Sequence, residues 1–184
     1  MNREGAFNLL QNYLKNPVLL KHCLASEAIM RALAERLGED PEVWGIVGLI
    51  HDLDFEETKD TPEHHTLKAA EILEREGYPA ERIEAIKAHN AEALGISREG
   101  RLAVALACAE TITGLIVATA LVMPDKKLAS VKVKSIMKRM KEPAFARNVN
   151  REIIQECQQL GLSLEEFVSL SLNAMLSISQ ELEL

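Results

Sequence analysis

Residues 102–123 read LAVALACAETITGLIVATALVM. The run is long enough to cross a bilayer, which takes about 20 apolar residues. It carries Glu110 near its middle, where insertion of a charge costs roughly 2.5–3.5 kcal/mol. Thr111, Thr113, Gly114 and Thr119 interrupt its apolar character further. The better reading is a long helix at the centre of a soluble helical protein, apolar on most sides because other helices surround it. No membrane span is expected. Glu110 then becomes an acid that needs a partner.

Outward from this helix, every other signal is helical. Pro17 opens a helix that runs to Gly38, with Ile29, Leu33 and Leu37 on its apolar face. Asp40-Pro41 is a cap followed by a first-turn proline, opening a helix that ends at His51-Asp52. DFEETKDTPEHH reads as an acidic loop. Helices follow from His65 to Glu76, closed by Gly77, and from Pro79 to His89-Asn90. The central helix covers about Arg101 to Val122. Beyond Pro124-Asp125 a basic stretch reads as one helix to Lys141, and Asn150 opens another that ends at Gly161. Ser163 and Glu166 form a capping box for the last helix. No stretch alternates with period two over a strand length. The expected fold is all-α, with short helices packed around one long one.

A chain of 184 residues fits one domain with a real core. Its 47% apolar and 27% charged residues describe a folded rather than a disordered chain. Aromatics make up only 4%, which argues against stacking platforms for bases. A net charge of −7 disfavours broad nucleic-acid binding. Cys23, Cys108 and Cys157 form no CxxC pair, so neither a thiolate zinc site nor a disulfide framework is expected. MNREGAFNLL lacks the apolar run of a signal peptide, and the expected location is the reducing cytoplasm.

The polar groups on apolar faces carry the chemistry. His22 lies two turns before Ile29. His51 and Asp52 end their helix, His65 starts the next, and His89 lies three residues past Ile86. Glu110 shares a stripe with Leu102, Leu106, Thr113 and Val117, and no basic residue lies near it in sequence. Each group alone has an ordinary structural explanation. Together, four of five histidines and two carboxylates on separate helices are satisfied at once by a divalent cation. His64 reads as a loop residue or a supporting neighbour.

In this order, His22, His51-Asp52, His65, His89-Asn90 and an acid on a long helix, the chain resembles the HD superfamily of metal-dependent phosphohydrolases. HDLD resembles the HDIG variant of that signature. HHTLKAAEILEREGYP and AIKAHN are similar to the segments that supply the third and fourth histidines. AETITGLIVATALV is similar to the segment that supplies the last carboxylate. The resemblance implies a single HD-type domain over 1–184, with a signature-bearing core at about 17–122 and a helical extension at 123–184.

It also implies one or two divalent ions, drawn from Mn, Fe, Co, Ni, Zn and Mg. His22, His51, Asp52 and Glu110 would hold one ion. His65 and His89 would hold a second, bridged by Asp52, with Asp52 and His51 at the catalytic centre. The family usually has aspartate where this chain has Glu110, and the extra methylene moves the carboxylate by about 1.5 Å.

The implied activity is hydrolysis of a small phosphate ester, nucleotides included, at a metal-activated water. Lys126, Lys127, Arg147 and Arg151 are candidates to hold the phosphate, within or after the basic run PDKKLASVKVKSIMKRMK. Two alternatives stay open. One is a non-catalytic binding or regulatory HD module with an impaired site. The other is a di-iron oxygenase of the wider superfamily. The substrate and the oligomeric state are not read from the sequence.

Overall fold

The computed structural model describes all 184 residues, and every regular element in it is helical. In chain order the helices are α1 (Arg3–Tyr13), α2 (Pro17–Leu37), α3 (Pro41–Ile50), α4 (Phe55–Thr58), α5 (Leu67–Arg75) and α6 (Ala80–His89). Then come α7 (Ala91–Leu94), α8 (Gly100–Leu121), α9 (Val133–Met140), α10 (Arg151–Gln155), α11 (Leu164–Ser177) and α12 (Ser179–Leu182). Short 3₁₀ helices occur at Leu128–Ser130 and Glu156–Leu160.

The helix boundaries follow local chemistry. Asn16 accepts from the Val18 amide, Pro17 supplies a preset φ, and Gly38 stops α2 at φ 74°. The Asp40 side chain accepts from the Glu42 and Val43 amides and starts α3. α8 lies at the centre, packed by α2, α6, α9 and α10. It is the one helix long and apolar enough to cross a membrane, and 67% of its most apolar window is buried inside the protein. Its apolar surface is therefore spent on neighbouring helices. Ile136, Ile154 and Phe167, all beyond residue 122, join the same apolar core as Leu106 and Ile112.

The closest helix contact positions the site. α2 packs on α3, and a β-carbon at Gly48 would lie 2.8 Å from the Ser26 carbonyl oxygen and 2.9 Å from Met30 Cγ. Only glycine permits this approach, and it brings the end of α3 against the middle of α2.

Several expectations needed revision. α1 was not expected; Asn2 caps it, and its Ala6, Leu9 and Leu10 enter the core. The acidic loop contains the short helix α4, and α7 follows α6 directly. α5 starts at Leu67 rather than His65, because Thr66 adopts φ 73°. The basic stretch to Lys141 is broken into a 3₁₀ turn and α9, since buried Leu128 and Val131 anchor extended backbone between them. The segment from Asn150 tightens to 3₁₀ geometry at Glu156. Half of the capping box forms: Ser163 Oγ accepts from the Glu166 amide, while the Glu166 carboxylate pairs with Arg36 at 2.8 Å.

Candidate metal centre

His51 caps α3 and His89 ends α6, and the same device fixes both. Each Nδ1–H donates back to the carbonyl three residues earlier, His51 to Gly48 at 2.8 Å and His89 to Ile86 at 2.7 Å. A carbonyl only accepts, so the ring hydrogen sits on Nδ1 and Nε2 is left facing inward.

His65 is held by a carboxylate instead. Its Nδ1 lies 2.8 Å from Asp54 Oδ1, and Asp54 Oδ2 accepts from the Thr66 amide at 2.8 Å and the Ala69 amide at 3.0 Å. One buried aspartate thus orients the histidine and caps the first turn of α5. Asn90 adds a tether, donating to the Pro62 and His65 carbonyls at 2.8 and 3.0 Å.

His22 projects from α2. Its Nδ1 lies 2.9 Å from Thr113 Oγ1, whose own hydrogen goes to the Glu110 carbonyl at 2.6 Å. The hydroxyl can therefore only accept from the ring.

All four Nε2 atoms converge on Asp52. They lie 3.6 Å (His22), 3.5 Å (His51), 3.3 Å (His65) and 3.4 Å (His89) from its carboxylate oxygens. They also face one another in pairs, His22 with His51 and His65 with His89, each at 3.1 Å. Two groups result whose ligand atoms all lie within 4.8 Å of one another: His22, His51 and Asp52, and Asp52, His65 and His89. Asp52 belongs to both.

The electrostatics are uneven. Burial pushes the His51 pKa down to about 3 against the pull of Asp52. Burial also opposes charge on His65, but hydrogen bonds to Asp52 and Asp54 outweigh it and raise its pKa to about 9. Burial disfavours the Asp52 anion too, yet the surrounding histidines hold its carboxyl well below the usual range.

His22, Asp52, His65 and His89 line a cavity of about 580 Å³, and fully buried His51 lies outside its wall. Glu110 lines it but belongs to neither ligand group. It is half-buried, the Thr111 hydroxyl donates to its Oε1, and burial raises its pKa. Phe55, Asn90 and Asn148–Asn150 complete much of the wall, and no lysine or arginine lines it.

Sequence reasoning thus identified five residues the fold brings together, His22, His51, Asp52, His65 and His89. It did not place the cations. Lys126, Lys127 and Arg147 are exposed and lie outside the cavity wall. Arg151 also lies outside it: its guanidinium donates to the Ala146 and Val149 carbonyls at 2.7 and 2.6 Å and to Phe145, closing the loop that carries Asn148. His64 is exposed in its loop. Sequence reasoning missed Asp54 and Thr113 as supports. The second aspartate of HDLD was the available signal for Asp54, and nothing local marked Thr113.

The donor set fits a hard or borderline divalent cation. Four oriented imidazoles and a shared carboxylate converge with no lysine or arginine among them. A family model described as HD domain matches residues 19–118, more than half of the chain. No curated protein and no solved structure matches it.

Proposed function

The chain belongs to the HD domain family, and from that membership we propose that it is a metal-dependent phosphohydrolase acting on a small phosphate ester. The observation that carries this reading is the convergence of four Nε2 atoms on Asp52, each ring fixed from behind at Nδ1.

His22, His51 and Asp52 would hold one divalent ion, and Asp52, His65 and His89 a second. Bound metal would supply a Lewis acid and lower the pKa of a coordinated water. Asp52 and His51 lie at the catalytic centre: Asp52 joins the two groups, and buried His51, with its low pKa, stays a neutral donor at physiological pH. Asp54 and Thr113 fix ring orientation. Glu110 faces the cavity from α8 and would complete the first ion's shell by turning from Thr111. The free buried thiols Cys23, Cys108 and Cys157 support a cytoplasmic location.

The non-catalytic module has one observation in its favour, namely that Glu110 stands outside both ligand groups. Metal analysis, followed by assay of a phosphate-ester panel with Mn, Co, Mg, Ni and Fe, separates the readings. Phosphate release by wild type, lost in Asp52→Ala, is the expected result. Metal binding without turnover of any ester would favour the regulatory module. Oxygen consumption by an iron-loaded form would favour the oxygenase.

A further inference from the structure

The metal cavity shares a wall with a second cavity. His22, Thr113 and Gly114 line both, and beyond them lies a groove of about 370 Å³ between α2 and α8. α2 presents Val18, Lys21, His22 and Ala25, one helical face. α8 presents Val117 and Leu121 on successive turns, and Leu182 closes the third side. Val18 is 70% exposed and Leu121 50%, so two large apolar side chains stand in water at the outer end. The groove's one cation, Lys21, is paired with Glu183 at 2.5 Å.

Charge separates the two compartments. The metal cavity is lined by Asp52 and Glu110, by Glu92, which is paired with Arg98, and by no lysine or arginine. Divalent ions there would offset Asp52 and Glu110 and leave enough positive charge for one phosphate. A polyphosphate would bring further negative charge that no side chain in the cavity matches. The adjoining groove has no aromatic ring besides that of His22, and its charged side chains, Lys21 and Glu183, pair with each other, so it suits neither a base nor a sugar. It suits hydrocarbon, because burying methylenes against Val18, Val117, Leu121 and Leu182 removes apolar surface from water on both sides.

We propose that the substrate is a soluble monophosphate ester of an aliphatic alcohol, its phosphate in the metal cavity and its hydrocarbon chain in the groove between α2 and α8. This rests on the phosphohydrolase reading above. In the reaction, a water oxygen bonds to phosphorus and the ester P–O bond breaks. The alcohol leaves with a proton from that water, and inorganic phosphate remains.

The test uses metal-loaded protein and non-hydrolysable n-alkylphosphonates, from methyl through butyl to octyl, titrated by calorimetry. Hydrolysis of the matching alkyl phosphates is followed in parallel. Affinity should rise about fourfold per added methylene over the first carbons. Leu121→Gln and Val18→Gln, at exposed positions, should flatten that rise while retaining metal and the cooperative melt.

Affinity independent of chain length, with esters still hydrolysed, overturns the groove and leaves the phosphohydrolase reading standing. An equal chain-length rise in wild type and both variants places the hydrocarbon elsewhere and also overturns it. Neither phosphonate binding nor ester hydrolysis would remove the phosphohydrolase reading and this inference together. A dimer dissociated by Leu121→Gln, with no chain-length rise, would assign the groove to a second copy and overturn the inference.

Discussion

His65 Nε2 lies 3.1 Å from His89 Nε2, and neither ring is free to turn away. Asp54 holds His65 from behind and the Ile86 carbonyl holds His89. Two neutral rings so fixed would face each other with bare lone pairs. A proton or a metal must lie between them and Asp52. Against burial, Asp52 and Asp54 raise the His65 pKa to about 9, which favours the proton there in the metal-free protein. Metal binding is then an exchange of cation for proton.

At pH 7 metal binding should therefore release about one proton, from His65. Affinity should fall about tenfold per pH unit from this group as pH drops below about 9. His51, whose pKa is about 3, adds nothing in that range. Calorimetry in buffers of different ionisation enthalpy counts the protons, and a count of zero at pH 7 would contradict the exchange.

The metal-free protein should be most stable near pH 6.5, the pKa of an unperturbed imidazole. His65 binds its proton more tightly folded than unfolded, so its contribution is full below about 6.5 and lost as pH rises through about 9. His51 is held neutral by burial, so its contribution is lost as pH falls from about 6.5 toward 3. Urea melts of chelator-treated protein across pH 4–9.5 would show a maximum between two declining limbs. A flat profile from 6.5 to 9 would rule out the charged His65.

Asp54→Asn should cost both stability and metal. An amide in this place leaves a buried donor or acceptor unmatched among His65, Thr66 and Ala69, at about 1–3 kcal/mol. Metal affinity should fall about 10–100-fold as His65 loses its orientation. Melting temperature and metal retention after dialysis measure the two effects separately.

Glu110→Gln keeps the size of the side chain and removes the charge. It should weaken metal retention while the fold survives, and Glu110→Asp should retain more metal than Gln does. Melting temperatures with and without chelator decide. Equal stabilisation of wild type and Glu110→Gln by metal would leave Glu110 as a cavity residue bonded to Thr111 and outside the metal's shell.

Gly48→Ala should destabilise by about 1–3 kcal/mol, because the new methyl group would meet the Ser26 carbonyl at 2.8 Å. For a chain of this size the melting temperature drops by about 2–4 °C per kcal/mol. The shift of α3 away from α2 also separates His51 from His22, so metal retention should fall with it. A variant as stable as wild type would mean that α3 can move freely.

Much of this protein was legible from residue order. Proline, glycine and a capping aspartate bounded α2 and α3, because these signals act within a single turn. Apolar length and a lone acid marked α8 as a central helix. His22, His51, Asp52, His65 and His89 stood out because buried imidazoles on separate helices need a common partner. Tertiary structure alone decided what those residues meet. Asp54 reaches His65 at a separation of 11 residues, and Thr113 reaches His22 at 91. The candidate phosphate-binding cations lie outside the cavity wall for a geometric reason. At 1.5 Å per residue, Leu121 lies about 16 Å along the helix axis from Glu110, so Lys126 and Lys127 emerge at the far end of α8. Arg151 was unreadable because the carbonyls that occupy it belong to the fold of its own loop. Periodicity and caps are properties of neighbouring residues. The direction a side chain faces across a gap is a property of the packed whole.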